Sequence, residues 1–203
     1  MANPLNHARV QRPLAVLFLG LVLAGVVAGA VRAILDDTAA QPATGLVVWP
    51  ANGEGLRTRL AAVGLPALRR EGTAFHIHAH LDVFVAGRRV IVPAGIGIDS
   101  AGRFISPIHT HDATGVIHVE SPVVRKFTLG QFFGVWGVRL GGGCLGEYCS
   151  GSGSSLRVYA DGKPVGDPSR LVLAAHQEIV VAFGTLAQLP RPVPASYSFQ
   201  RGL

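Results

Sequence analysis

The sequence predicts an α+β fold, a mainly antiparallel β-sheet with one packed helix, preceded by a single N-terminal transmembrane helix. Three observations predict it. Residues 14–31 form an uncharged apolar run, residues 75–85 alternate between apolar and polar side chains, and apolar residues at helical spacing follow Thr128. Without the apolar run, the 203-residue chain still suits one domain with a modest core.

The apolar run has the length of a membrane anchor. Its 18 residues, 14–31, carry no charge, and at about 1.5 Å per residue they and their flanks span a hydrocarbon layer of about 30 Å. Arg9 and Arg12 precede the run, whereas Asp36 and Asp37 follow it. The positive-inside tendency therefore places the N-terminus in the cytoplasm and the rest of the chain outside.

A cleaved signal peptide is the alternative, because residues 28–30, Ala-Gly-Ala, form a small-x-small site. Either interpretation places the domain outside the cytoplasm, and an anchor makes the lipid bilayer a partner. The predicted organisation is a cytoplasmic N-terminus at 1–13, the anchor at 14–31, a linker at 32–53 and a histidine-rich β domain at 54–203.

The charge pattern argues against nucleic acid. The net charge is +6, from 18 basic and 12 acidic residues. Three basic residues flank the apolar run, so the remainder carries 15 − 12 = +3, spread along the chain without a basic stripe or an aromatic platform. We therefore predict no nucleic-acid partner.

Residues 75–85 are the clearest strand in the sequence. Period-two alternation gives a strand with one apolar and one polar face. Ala86-Gly87-Arg88 then predicts a turn, and Arg89–Val92 a returning strand. The apolar positions are Phe75, Ile77, Ala79, Leu81, Val83 and Val85, and the polar positions include His76, His78, His80 and Asp82.

The remaining elements follow from turn and capping signals. Residues 55–63 predict a short helix, and Thr128 is the expected cap of the packed helix. We expect strands at 116–120, 156–160, 163–165 and 178–183, Gly-rich loops at 93–103 and 141–155, and an extended tail from 190.

Six of the eight histidines fall within 43 residues. Alternate residues of a strand lie about 6.5–7 Å apart on one face, so a His-x-His pair is able to reach a single ion. The outer members of a His-x-His-x-His run are about 13 Å apart, so a third ligand must come from another segment. The candidate ligands are His76, His78, His80, His109, His111 and His118, with Asp82, Asp112 and Glu120 as possible carboxylate ligands or supporting groups.

These residues predict a transition-metal site, with copper or zinc as the ion. Imidazole suits both metals, and the single methionine, Met1, argues against a methionine-rich Cu(I) carrier. One alternative is a pH-responsive histidine cluster, and plain surface histidines are another. A third is a metal-dependent enzyme with three histidines, an open coordination position and Glu120 or Asp112 as acid or base. His176 is expected to be structural, and His7 precedes the apolar run.

Cys144 and Cys149, separated by four residues including a glycine, predict a local disulfide in an oxidising compartment. A pair of soft metal ligands is the alternative. With the expected anchor, the favoured function is an extracytoplasmic protein that holds the ion or hands it to a membrane transporter or metalloenzyme.

Two resemblances add to this reading. The runs 76–85, 92–99, 109–120 and 128–133 resemble a set of uncharacterised prokaryotic membrane-anchored proteins that share the pattern HxHxH…HTHDxxGxIHxE. That resemblance covers about residues 70–200 and implies no reaction. Residues 156–165, 171–173 and 178–182 resemble the end of ubiquitin-like β-grasp domains of the sulfur-carrier type. This second resemblance implies only a β-grasp-like fold, because this sequence lacks the Gly-Gly tail of the sulfur carriers.

Overall fold

The computed structural model describes residues 45–99, 101 and 103–203. The architecture of these residues is α+β with mostly antiparallel strands, as predicted, and their two α-helices correspond to the short helix predicted at 55–63 and to the packed helix predicted after Thr128. The helices are α1 (Leu56–Ala62) and α2 (Leu129–Trp136). The strands are β1 (Phe75–Val85), β2 (Arg88–Val90), β3 (Ile108–His109), β4 (Val116–Ser121), β5 (Leu140–Gly141), β6 (Cys144–Leu145), β7 (Tyr148–Cys149), β8 (Ser155–Ala160), β9 (Lys163–Pro164) and β10 (Glu178–Gly184).

Seven strands form the main sheet, in the order β3-β4-β1-β10-β8-β9, with β2 paired to the end of β1. The predicted strand at 75–85 is confirmed as β1, and it is central. Its residues 75–80 pair with β4 and its residues 83–85 pair with β2, both antiparallel. The returning strand β2 is shorter than the predicted Arg89–Val92 and begins one residue earlier.

One pairing differs from the predicted antiparallel pattern. Residues 80–85 of β1 pair in parallel with residues 178–183 of β10. The 92 residues between these two strands provide the crossover that a parallel pair needs. Local periodicity identifies both strands but carries no information about which strands pair, so the sequence did not predict this arrangement.

The core lies between the apolar face of the sheet and the two helices. Leu81, Ile117 and Ile179 are fully buried on the sheet, and Phe132 and Phe133 of α2 belong to the same cluster. Thr128 is the N-cap of helix α2, as predicted, and it forms a capping box in which the side chains of Thr128 and Gln131 each accept a hydrogen bond from the other residue's backbone N–H. Leu56 and Leu60 bury the inner side of α1, so this short helix also packs on the core.

The sequence predicted that the Gly-rich segment 141–155 is a loop, and this prediction is only partly correct. Strands β5, β6 and β7 form a small three-stranded sheet there. The predicted disulfide between Cys144 and Cys149 is confirmed, and it joins directly paired residues of β6 and β7. The short turn of two residues between these strands places both cysteines opposite each other.

Residues 45–53, within the predicted linker, contact the domain. Leu46 forms a β-bridge with Val90, and the Trp49 ring packs edge-on against Trp136 and Tyr148. No helix in the described part of the chain is long and apolar enough to cross a membrane. The predicted anchor at 14–31 and the predicted cytoplasmic segment lie outside the described residues.

Candidate metal centre

The register of three neighbouring strands brings the histidines together. His78 on β1 pairs directly with His118 on β4, and His118 pairs with His109 on β3. His76 pairs with Glu120 in the same way. Directly paired side chains project from the same face of a sheet, about 4.5–5.5 Å apart at Cβ. The hydrogen-bonding pattern of the sheet therefore builds the cluster.

At the β1 side of the cluster, the donor atoms are within ligand-to-ligand distance. His76 Nε2 lies 3.1 Å from His78 Nε2 and 3.2 Å from Glu120 Oε1. His118 Nδ1 lies 3.4 Å from the same carboxylate oxygen. Two nitrogens bound at about 2.0–2.1 Å to one tetrahedral zinc ion are about 3.3 Å apart. Three separations among these four residues therefore match those of a tetrahedral ligand set, and each of the four offers a ligand atom within 4.8 Å of the other three.

A second group of donors lies at the β3 side. His109 Nε2 is 3.0 Å from His111 Nε2, and Glu71 Oε1 is 3.3 Å from His111 Nε2. His109 Nε2 is also 3.9 Å from Glu71 Oε1 and 4.0 Å from Glu120 Oε2. Glu71 is a site residue that the sequence did not predict, because it lies before β1 in a segment with no periodic pattern.

His109 is oriented as a ligand. Its Nδ1 donates a hydrogen bond to the Ser106 carbonyl oxygen at 3.0 Å. Burial, together with the neighbouring imidazoles His111 and His118, lowers the pKa of His109 to about 3. The ring is therefore neutral at pH 7, and since Nδ1 carries the hydrogen, Nε2 presents its lone pair to the cluster. Metal-binding histidines commonly use the same backbone hydrogen bond to fix their tautomer.

His118 lies at the centre of the cluster with an unpaired ring nitrogen. Its Nδ1 is buried and has no hydrogen-bond partner among the described residues. Burial, followed by the charges of His111 and His78, lowers the pKa of His118 to about 4, so the ring is neutral at pH 7. A buried polar atom without a partner costs about 1–3 kcal/mol. A bound cation would satisfy this nitrogen.

Glu120 faces both groups of histidines from a buried position. Burial, with the charge of Glu71 and a hydrogen bond to it, raises the pKa of Glu120 to about 7. Burial likewise lowers the pKa of His78. These shifts share one main cause, because burial disfavours the charged form of each of these side chains.

His80 lies apart from this cluster. Its Nδ1 is 2.6 Å from Glu178 Oε2, and its Nε2 donates to the Thr114 carbonyl oxygen at 3.0 Å. The Tyr197 ring stacks on the imidazole with centroids 3.7 Å apart. His80, Asp82 and Glu178 have a spacing that would also hold an ion, but hydrogen bonds occupy both nitrogens of His80. Burial raises the pKa of Glu178, against the opposing effect of His80.

The other predicted carboxylates have their own partners. Asp82 forms an ion pair with Arg89. Asp112 accepts hydrogen bonds from the backbone N–H and the hydroxyl of Thr114. Of the three predicted carboxylates, the structure places only Glu120 with the five clustered histidines. His176 lies outside that cluster, and its Nε2 is 3.0 Å from the Leu203 carbonyl oxygen.

Solvent reaches the cluster at both ends. The side chains of His76 and His111 are 51% and 42% exposed, whereas His109 is fully buried. A cavity of about 230 Å³ adjoins the β1 side, where His76, His78 and His176 are among its lining residues. An ion or a small molecule therefore has access without unfolding of the sheet.

No family model, curated protein or solved structure matches this chain. The donor atoms and their geometry are therefore the basis on which a function is inferred. Five imidazoles and two carboxylates, from the β-sheet, the residues after β3 and the segment before β1, provide a donor set of nitrogen and oxygen only. Such a set suits divalent transition metals.

Proposed function

We propose that this chain is a membrane-anchored extracytoplasmic protein that binds copper or zinc and holds the ion or hands it on. The observation that carries the proposal is the convergence of five ring nitrogens, including the unpaired Nδ1 of His118, on the carboxylate of Glu120. A cation at this position would provide a partner for ligand atoms that otherwise repel one another or lack a hydrogen-bond partner.

The donor types narrow the choice of ion. Both cysteines are in a disulfide, so neither supplies a thiolate, and the sequence has one methionine. Imidazole and carboxylate favour Zn²⁺ or Cu²⁺, whereas Cu⁺ prefers sulfur ligands. The disulfide also supports an oxidising compartment, which agrees with the predicted anchor at 14–31 and with the bilayer as a partner.

The unequal exposure of the ligands supports holding and transfer. His78, His109 and His118 are buried, and a hydrogen bond to Ser106 fixes the His109 ring, whereas His76 and His111 are partly exposed. An incoming ligand from a membrane transporter or metalloenzyme would be able to replace an exposed imidazole first. Affinity and exchange are thereby assigned to different residues of the same cluster.

A metal-dependent enzyme is the second candidate. The cavity beside His76 and His78 favours it, because a small molecule placed there would contact the ligands of the ion. Binding of a small ligand that displaces a metal-bound water would distinguish an enzyme from a carrier. Cobalt substitution followed by visible spectroscopy with azide reports this displacement.

The direct test is metal content. The full chain is purified in detergent, stripped with chelator and reloaded separately with Zn²⁺ and Cu²⁺, and bound metal is measured by mass spectrometry. We expect at least one ion per chain, lost or reduced in His118→Ala and Glu120→Gln and retained in Glu54→Gln, whose side chain is exposed and outside the cluster. Wild-type protein that binds neither ion, or equal loss in all three variants, would contradict the proposal. A pH-dependent change in metal-free protein without metal binding would support the pH-responsive alternative.

A further inference from the structure

We infer that the cluster is a dinuclear centre, in which two divalent transition-metal ions are bridged by the carboxylate of Glu120. This inference rests on the proposed function and extends it from one ion to two. It is carried by the number of donors, by their division into two groups and by the orientation of one carboxylate.

The cluster has more donors than a single ion uses. Five ring nitrogens, both oxygens of Glu120 and one oxygen of Glu71 make eight donor atoms. A tetrahedral ion takes four of them. A single ion would leave four donor atoms of this largely buried site without a metal bond. Two ions with four ligands each would bind all eight donor atoms, each atom once.

The first four-ligand set lies on β1 and β4. It comprises Nε2 of His76, Nε2 of His78, Nδ1 of His118 and Oε1 of Glu120. Three of the six separations within it are 3.1, 3.2 and 3.4 Å. All three are close to the spacing of about 3.3 Å between ligands of a tetrahedral ion.

The second set lies on β3, on the residues that follow it, and before β1. It comprises Nε2 of His109, Nε2 of His111, Oε1 of Glu71 and Oε2 of Glu120. Four of the six separations within it range from 3.0 to 4.0 Å. Glu71 is 46% exposed, so its side chain is free to make the small adjustment that this set requires. His118 is also close to His109 and His111, and it therefore lies between the two sets.

Glu120 connects the sets because its two oxygens face different histidines. Oε1 lies 3.2 Å from His76, and Oε2 lies 4.0 Å from His109. A carboxylate in this position would bind one ion through each oxygen. Two-metal sites in proteins have ions about 3.5–4 Å apart, which a single bridging carboxylate spans.

The test counts ions and measures their coupling in the full chain. Metal-free protein is titrated with Zn²⁺, and bound zinc is expected to reach two ions per chain. The double variants His76→Ala/His78→Ala and His109→Ala/His111→Ala are each expected to retain one ion, while Glu54→Gln, at an exposed position outside the cluster, retains two. Loading with Cu²⁺ should give an electron paramagnetic resonance signal weakened by spin coupling in the wild type. Each double variant should show an uncoupled signal from one Cu²⁺.

Single variants of the exposed ligands protect the test against misfolding. His76→Ala and His111→Ala each change a partly exposed side chain. Each is expected to weaken the affinity for one ion at least about tenfold and to leave the affinity for the other ion unchanged. Wild-type protein with one ion would overturn the dinuclear centre and leave the proposed function standing, whereas protein with none would contradict both. Two uncoupled Cu²⁺ ions, or a folded double variant that keeps or loses both ions, would also overturn it.

Discussion

His78 and His118 occupy directly paired positions on neighbouring antiparallel strands, with ring centroids 4.5 Å apart and ring planes at 84°. Strand register, which is one of the most strongly specified features of a half-buried sheet, sets this relationship. A slip of one residue would move every histidine of β1 to the opposite face. The same hydrogen bonds that stabilise the sheet therefore position the donors.

Metal loading should stabilise the folded chain, because the register that forms the site exists only in that state. An ion present at one hundred times its dissociation constant adds about 2.7 kcal/mol per site to the free energy of unfolding. We expect the melting temperature to rise on addition of Zn²⁺ and to fall again with chelator. His118→Ala should show a smaller rise, because it removes a ligand of one of the two ions. An equal rise in wild type and variant would mean that zinc stabilises through other residues.

Gly115 is expected to tolerate no side chain. Its φ is +96°, and an added Cβ would lie 2.6 Å from the Leu81 carbonyl oxygen and 2.9 Å from His80 Nε2. Gly95 is a matched control, because its φ is +81° and no atom lies within 4 Å of an added Cβ. Both Gly→Ala variants incur the backbone cost of a left-handed conformation, of order 1 kcal/mol. Urea unfolding should show a clearly larger loss of unfolding free energy for Gly115→Ala than for Gly95→Ala. Equal losses in the two variants would refute the steric argument.

Local signals predicted much of the fold. Strict alternation identified β1, the capping residue Thr128 located α2, and the close cysteines Cys144 and Cys149 predicted the disulfide. Each depends on residues near one another in sequence, and so the sequence alone contains the information. The β-grasp resemblance remains a prediction.

Long-range relationships were not predictable in the same way. Glu71 reaches His111 across 40 positions, and Glu178 reaches His80 across 98. The parallel pairing of β1 with β10 brings Glu178 to that position, and no local pattern encodes it. The prediction that one strand cannot deliver three histidines to one ion agrees with the separation of His80 from His76 and His78.

The disulfide is expected to stabilise the small sheet and to leave the metal centre unchanged. Cross-linking a loop of six residues contributes about 2 kcal/mol in the chain-entropy treatment. The variant Cys144→Ser/Cys149→Ser should therefore unfold at lower urea concentration and bind the same number of ions. Reduced metal content in a folded variant would show that the small sheet supports the centre.

Asp99 should contribute stability that acid removes. A hydrogen bond from the Arg103 side chain, followed by one from the Ala101 backbone N–H, lowers the pKa of Asp99. A carboxyl group whose pKa is lower in the folded state stabilises the fold above its unfolded pKa, and this contribution is lost as pH falls through the folded pKa. Asp99→Asn should melt below the wild type at pH 7, and the difference should shrink near pH 3. A difference that is constant with pH would exclude the ionised carboxylate as its source, and Glu54→Gln provides an exposed control.

The buried pair of His80 and Glu178 is expected to stabilise the fold without binding an ion. Both nitrogens of His80 already have hydrogen-bond partners, and Tyr197 covers the ring. Removing one member of a buried pair costs about 3–5 kcal/mol, so His80→Ala should unfold at much lower urea concentration. Glu178→Gln keeps a hydrogen-bond acceptor for His80 Nδ1, so it should lose less unfolding free energy than His80→Ala. Metal content should equal that of the wild type in both variants, and the loss of a whole ion from folded Glu178→Gln would instead place a metal at this pair.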